Sequence, residues 1–310
     1  MSIKLADLTH KKEGLTGGHR MCAGCGAPIA VRQVLLAAPE GVEIVVAGAT
    51  GCLEVSTSIY PYSAWNVSYI HSAFENAAST LSGAETCYNS LKEQGKIDAD
   101  FRFLAFAGDG GTYDIGFQAL SGMLERGHRA IYVCYNNEAY MNTGTQRSGA
   151  TPFGASTTTS PHGQKSFGKP QYRKDLTAIA AAHNIPYAAQ ASISHWRDLA
   201  TKAQKAYEMD GPVFLNIMAP CHRGWRYPVE KTVELAKLAV QTCSWPLYEV
   251  EDGEWKLTTK VRNKKPVEEF LKLQGRFSHL FKEENKEILQ QIQEYVDKEW
   301  EKLLKRCGEA

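Results

Sequence analysis

Short runs of β-branched and apolar residues recur along the first two-thirds of the chain, at 42–47, 101–107, 130–135 and 213–218. Their length and near-continuous apolarity are those of strands buried on both faces. Between them, apolar residues fall at helical spacing over 27–38, 72–93, 115–126, 176–183 and 193–209. Strands alternating with helices predict an α/β fold, a parallel sheet with helices on both faces. Ligands of such sheets bind beyond the carboxyl ends of the strands. The residues just after each run are therefore where chemistry is to be sought.

Those residues are distinctive. Gly48-Ala49-Thr50-Gly51-Cys52 follows the first run and Gly108-Asp109-Gly110-Gly111 the second. Asn136-Asn137-Glu138-Ala139-Tyr140 follows the third, and the fourth ends in Ala219-Pro220-Cys221. Two strand ends thus carry cysteine, and the other two carry oxygen ligands of the kind that hold metals.

The pattern then changes. Residues 142–174 are rich in Gly, Ser, Thr and Pro, a length of irregular chain that is uncommon in a compact domain and often functional. Its basic residues Arg147, Lys165, Lys169 and Arg173 are candidates to face a partner. Residues 247–258 alternate around Asp252-Gly253, a hairpin signal. Residues 266–304 are charged and helical, with an apolar stripe at Ile288, Ile292, Val296, Trp300 and Leu304. The expected organisation is a catalytic domain over 1–245 and a hairpin and helical docking arm over 246–310.

Composition narrows the class. The chain has 310 residues, 43% of them hydrophobic, and a net charge of +1. Mixed charge argues against a nucleic-acid surface. No run reaches the roughly 18 apolar residues of a membrane span, and the first residues lack the apolar core of a signal peptide. A cytoplasmic protein is expected, with no membrane and no nucleic acid as partner.

Eight cysteines are present, at 22, 25, 52, 87, 134, 221, 243 and 307. Cys22-Ala23-Gly24-Cys25-Gly26 is a tight pair, and a CxxC pair in a cytosolic chain points to metal or redox chemistry. A closed sulfur site needs four ligands, and Cys52 and Cys221, at strand ends among glycine or proline, are the natural other two. Structural zinc and a [4Fe–4S] cluster are not separated by this spacing. Two single, dispersed ligands and an adjacent cofactor loop favour the cluster. Cys87 and Cys134, within a predicted helix and strand, are expected in the core; Cys243 and Cys307 have no companions.

The glycines of Gly108-Asp109-Gly110 let backbone N–H groups approach phosphate at a helix N-terminus. Asp109, an asparagine of the pair 136–137 and a backbone carbonyl suit Mg²⁺, which takes oxygen ligands and shares them with a diphosphate.

Together CAGCG, TGCLEVST, GDGGTYDIG, YNNEAYMNTGTQRSG and APCHRGW resemble the β subunit of the 2-oxoacid:ferredoxin oxidoreductases, the pyruvate synthase family, over about residues 18–225. The resemblance implies a thiamine-diphosphate-binding fold with Mg²⁺ and a [4Fe–4S] cluster. It implies that Cys22, Cys25, Cys52 and Cys221 hold the cluster. Asp109, Asn137 and the carbonyl of Ala139 would hold Mg²⁺, and Gly108, Gly110 and Thr143 would lie near the diphosphate. Thr50, Gly51, Cys52 and Met141 would also border the cofactor, and Val55 would support it. Asn142 and His71 are the implied catalytic residues. The implied reaction is thiamine-dependent oxidative decarboxylation of a small 2-oxoacid, with coenzyme A as co-substrate when the acid is pyruvate. Implied partners are α/γ-type subunits, a ferredoxin-like δ-type subunit and ferredoxin. The glutamate that activates the cofactor would come from a partner, since no motif nominates Glu54 or Glu75.

Ser68-Tyr69 and His222 depart from the family's commonest pattern towards polarity. They keep oxalate, oxidised without coenzyme A, as an alternative to pyruvate. The rivals from other classes are a thiamine enzyme without redox chemistry, which leaves the cysteines idle, and a zinc-stabilised non-catalytic assembly subunit.

Overall fold

A computed structural model of the chain describes residues 4–309. Its centre is an eight-stranded sheet in the order β10-β9-β7-β8-β4-β3-β1-β2. The four predicted runs become β1 (Glu43–Ala49), β3 (Phe101–Gly108), β4 (Ala130–Asn136) and β8 (Val213–Met218). They are joined by β2 (Ser68–Ser72) and β7 (Tyr187–Ser192), which the pattern did not announce. All six are parallel. The predicted hairpin is β9 (Tyr248–Glu251) and β10 (Glu254–Leu257); it turns through Asp252 and Gly253, both at positive φ, and adds antiparallel to β7. A two-residue ribbon, β5 (His162–Gly163) and β6 (Ser166–Phe167), stands apart.

Alternation along the strands divides the core. Leu104, Phe106, Ile131, Val133, Leu215 and Ile217 face one layer, which includes the helices Gly26–Leu36, Trp196–Glu208 and Thr232–Gln241. Ala105, Ala107, Tyr132, Cys134 and Phe214 face the other, with the helices Ala77–Glu93, Phe117–Glu125 and Leu176–Ala181. The strands the pattern missed have physical reasons to be missed. β2 is the edge strand and mostly exposed, so Ser68, Tyr69, His71 and Ser72 suffice. β7 is fully buried but reads Tyr-Ala-Ala-Gln-Ala-Ser, small residues of low strand propensity.

Several expectations need correction. The helix predicted over 72–93 begins at Ala77, because Ser72 ends β2. The helix expected near residue 115 starts earlier, as a widened turn over Gly110–Ile115 running into Phe117–Glu125. Cys134 is buried as expected, but Cys87 is exposed, on the solvent side of its helix. Residues 142–174 are partly interior: Ser148, Thr151 and Ala155 are buried, and so is Lys169, which faces the chain's own carbonyls. The last helix, Lys286–Arg306, packs on the chain's own body through Ile292 and Val296 of its apolar stripe and through Leu303, which lay outside the stripe.

From β1 the chain crosses to β2 on one side, while β3 leads to β4 on the other. Neighbouring strands whose connections diverge leave a crevice beyond their carboxyl ends. The distinctive loops converge there.

Candidate active site

An open cleft of about 350 Å³ occupies that crevice. The loop after β1 lines it with Thr50, Gly51 and Cys52, and the loop after β3 with Gly108, Gly110 and Gly111. The loop after β4 contributes Asn137, Ala139, Met141, Asn142 and Thr143. Three of the residues expected at the thiamine cofactor or its Mg²⁺ lie off this lining. Asp109 sits beneath the floor, fully buried. His71, at the end of β2, is more than half exposed and reaches the cleft through Thr50, whose Oγ1 is 3.2 Å from its Nε2. Val55 points outward, 40% exposed. Phe74, Tyr135 and Tyr140 also line the cleft; the two tyrosines lie in the YNNEAY stretch without a role assigned from it, and Phe74 carried no sequence signal. Phe74 and Tyr140 stack at 5.7 Å and form one wall.

Gly110 of the β3 loop is required by close approach. A Cβ on Gly110 would sit 2.5 Å from the Tyr140 ring. Without it, Gly110 and Gly111 line the cleft at the start of the helical turn, a setting that favours anions.

Beneath the cleft, oxygen atoms converge. Asp109 Oδ1 accepts from the Asn137 backbone N–H at 3.2 Å, and Oδ2 accepts from the Ser148 hydroxyl. The Asn137 side-chain amide brings a terminal atom within 2.9 Å of both Ala139 O and Asp109 Oδ1. With nitrogen turned there, the amide donates to both oxygens. With oxygen turned there, three oxygens from three residues face one another, an arrangement that a cation relieves. Burial pushes the Asp109 carboxyl up from 3.8 to about 7, against the hydrogen bonds of Ser148 and Asn137. A carboxylate placed so deep calls for a positive partner.

The four cysteines share one neighbourhood. Gly26 N–H donates to Pro220 O at 3.1 Å, tying the CxxC turn to the strand end that carries Cys221. The approach is so close that a Cβ on Gly26 would stand 2.7 Å from the Ala219 carbonyl carbon. Gly24 has φ +73° and lies against the Val229 carbonyl. Burial pushes the Cys25 thiol up to about 12, with Cys221, Cys52 and Cys22 adding to it through their own charge. Cys52 is pushed up to about 11 by burial, then by Cys221 and Cys22. Burial also raises Cys221, opposed by the N–H groups of Gly224 and Arg223. Among the described residues, no three His, Cys, Asp or Glu side chains close on a position for a single ion.

The thiol group and the cleft touch. Cys52 belongs to both, and Met141 lines the cleft while packing over Gly224, three residues past Cys221. Ser68 and Tyr69 do not line the cleft: Tyr69 stacks on Trp65 at 4.8 Å. Nor does His222, so none of the three polar departures lines the cleft. No helix among the described residues is long and apolar enough to cross a membrane.

The chain is similar to known proteins. A family model described as the thiamine pyrophosphate enzyme C-terminal TPP binding domain matches residues 49–217, from the end of β1 into β8. Pyruvate synthase subunit PorB of Thermotoga maritima is 58% identical over 97% of this chain and 94% of its own length. PorB of Methanothermobacter thermautotrophicus is 53% identical over 93% and 96%. Ketoisovalerate oxidoreductase subunit VorB of Pyrococcus abyssi is 45% identical over 95% and 93%. A solved 2-oxoglutarate:ferredoxin oxidoreductase from Magnetococcus marinus shares the fold, with a TM-score of 0.56 at 18% identity over 74% of this chain and 81% of that one. With its diphosphate-type cleft at the sheet's switch point and relatives matching nearly end to end, the chain belongs to the pyruvate synthase PorB family of thiamine-pyrophosphate enzymes.

Proposed function

We propose that this chain is the thiamine-diphosphate subunit of a cytoplasmic 2-oxoacid:ferredoxin oxidoreductase complex, which oxidatively decarboxylates pyruvate with coenzyme A as acyl acceptor. Electrons leave through a [4Fe–4S] cluster on Cys22, Cys25, Cys52 and Cys221, and pass by way of a ferredoxin-like δ-type subunit to ferredoxin. The observation that carries this reading is the shared wall: Cys52 lines the cofactor cleft and belongs to the thiol group.

Mg²⁺ fits the oxygens beneath the cleft. Metal–oxygen distances of 2.0–2.1 Å put neighbouring ligands of an octahedron about 2.9 Å apart, the spacing at which the Asn137 amide meets Asp109 and Ala139. The N–H groups following Asp109, with Thr143, then receive the diphosphate. Bound there, thiamine diphosphate supplies the nucleophilic carbon and the electron sink for loss of CO₂.

The chain's own residues orient and stabilise. Asn142 presents its amide at the cleft mouth, where it hydrogen-bonds the developing charge of the acid. His71, held by Thr50 and 3.7 Å from Glu54 Oε1, is placed to hold or pass a proton at Nε2. Phe74 and Tyr140 exclude water from one side. Neither Glu54 nor Glu75 lines the cleft, so the activating glutamate is assigned to an α/γ-type partner.

Pyruvate is favoured because the relatives at 58% and 53% identity are both named for it, while at 45% a PorB of Pyrococcus horikoshii stands level with the ketoisovalerate relative. A zinc-stabilised assembly subunit fits less well. One tetrahedral zinc needs thiolates about 3.8 Å apart around one point, and it leaves the cleft without a purpose. Ferredoxin reduction by the reconstituted complex tests the reading, with pyruvate, oxalate and 2-oxoisovalerate compared. The highest kcat/KM is expected for pyruvate, dependent on thiamine diphosphate and coenzyme A. Inactivity with all three acids, or full turnover by this chain alone, would overturn it.

A further inference from the structure

Between the proposed Mg²⁺ ligands Asn137 and Ala139 stands Glu138, whose φ is +64° and which is buried. A non-glycine residue keeps such a backbone only where its surroundings over-determine it. Here every polar group of Glu138 is occupied. Its N–H donates to Asn136 Oδ1 at 3.0 Å, and its carbonyl accepts from Thr151 Oγ1 at 2.6 Å. Its carboxylate pairs with Arg173 Nη1 at 3.2 Å through Oε1 and with Arg276 through Oε2.

The two arginines differ. Arg173 is partly exposed, while Arg276 is buried and its guanidinium lies 4.0 Å from the centroid of the Trp225 ring. That indole donates from Nε1 to Asn137 O at 2.7 Å. Arg276 therefore grips the loop twice, through the Glu138 carboxylate and through the indole that holds Asn137. Gln274 Oε1 accepts from its Nε at 2.9 Å, and its own carbonyl accepts from Ser156 N–H at 2.9 Å, so the gripping group is itself fixed. Arg276 lies in the short 3₁₀ helix Gly275–Phe281, well beyond the residues matched by the thiamine-pyrophosphate domain.

We propose that Arg276 is a positioning residue for the cation and diphosphate loop, contributed by the C-terminal part of the chain. It touches neither cofactor nor substrate. It holds Asn137 and Ala139 in the attitude that points both oxygens at the cation. The proposal rests on the Mg²⁺ reading above. Outer partners of this kind govern metal affinity by about 10–100-fold.

The test is a titration of the purified, cofactor-depleted complex with Mg²⁺ at fixed thiamine diphosphate, following tryptophan fluorescence, with heat denaturation of the cofactor-free complex alongside. Arg276→Met, folded and assembled, is expected to need about 10–100-fold more Mg²⁺ for half-saturation. Arg276→Lys, which keeps the charge but not the planar fork, is expected to fall in between. Arg173→Met, on the exposed arm, should shift the midpoint much less. A folded Arg276→Met complex with a midpoint within about twofold of the wild type overturns the proposal. Should that variant fail to assemble, Arg276→Lys decides: a midpoint raised fivefold or more supports the proposal, and a smaller rise overturns it. Asp109→Asn separates the two readings. If it leaves the Mg²⁺ dependence intact, the cation site itself is wrong; if it abolishes the dependence while Arg276→Met does not change it, only the role of Arg276 fails.

Discussion

Asn142 Oδ1 and Cys52 Sγ lie 3.7 Å apart, although 90 residues separate them in the chain. One faces the cleft mouth and the other belongs to the thiol group, so the group that would contact the acid abuts the first atom of the electron exit. Their losses should nevertheless differ. Asn142→Ala is expected to lower kcat by about 10²-fold, the usual cost of an oxyanion donor, with iron content unchanged. Cys52→Ser is expected to lose iron and ferredoxin reduction together. Iron analysis and steady-state kinetics on both variants check this.

Asp109 gives a pH dependence with a definite sign. Its carboxyl is raised from 3.8 to about 7 by burial, so the folded, cation-free chain holds a proton that the unfolded chain releases between those values. The stability it contributes is complete below about pH 4 and is lost as pH rises through 7, on the order of 4 kcal/mol for about three pKa units. Mg²⁺ must displace the same proton. Its apparent affinity is expected to rise about tenfold per pH unit up to about pH 7 and then level off, which calorimetric titration between pH 5 and 9 reads directly.

The meeting of the CxxC turn with the Cys221 strand end rests on a missing side chain. Gly26→Ala would place a Cβ 2.7 Å from the Ala219 carbonyl carbon and 2.9 Å from Pro220 N. The backbone must part there, at about 1–3 kcal/mol. Chemical denaturation should show that loss, and anaerobic purification should show depleted iron, while Mg²⁺-dependent thiamine diphosphate binding stays near that of the wild type.

Lys169 secures the far side of the Asp109 pocket. Its Nζ donates to Ser148 O at 3.2 Å and Thr151 O at 2.6 Å, and the Ser148 hydroxyl in turn donates to Asp109. Lys169→Met leaves two buried carbonyls without that donor and is expected to cost about 1–3 kcal/mol. Thermal unfolding of the variant measures it.

What the sequence made legible follows from where each instruction lies. The loops after β1, β3, β4 and β8 were readable because glycine, aspartate, asparagine and cysteine follow directly on apolar runs. β7 was not, because its burial comes from neighbours on both sides and its alanines give no strand signal. The interior placement of residues 148–157 was hidden for a similar reason: Lys169, which orders them, reads as one more charge in a polar tract. Tyr140 and Phe74 meet only in the folded cleft. The pairing of Glu138 with Arg276 spans 138 residues, beyond any local pattern. Val55 and His71, named by family resemblance, stand off the cleft lining, and only His71 is linked to it, through Thr50.

The central claim is that electrons from cleavage of the acid leave through a cluster held by this chain beside the thiamine site. Its most direct measurement is electron paramagnetic resonance on the anaerobic complex, freeze-quenched after pyruvate is added with thiamine diphosphate, Mg²⁺ and coenzyme A but no ferredoxin. The account predicts a reduced [4Fe–4S] signal in the wild type that Cys221→Ser removes while thiamine diphosphate still binds. An unchanged signal in Cys221→Ser, or stoichiometric zinc and no iron at this chain's cysteines after anaerobic purification, would contradict it.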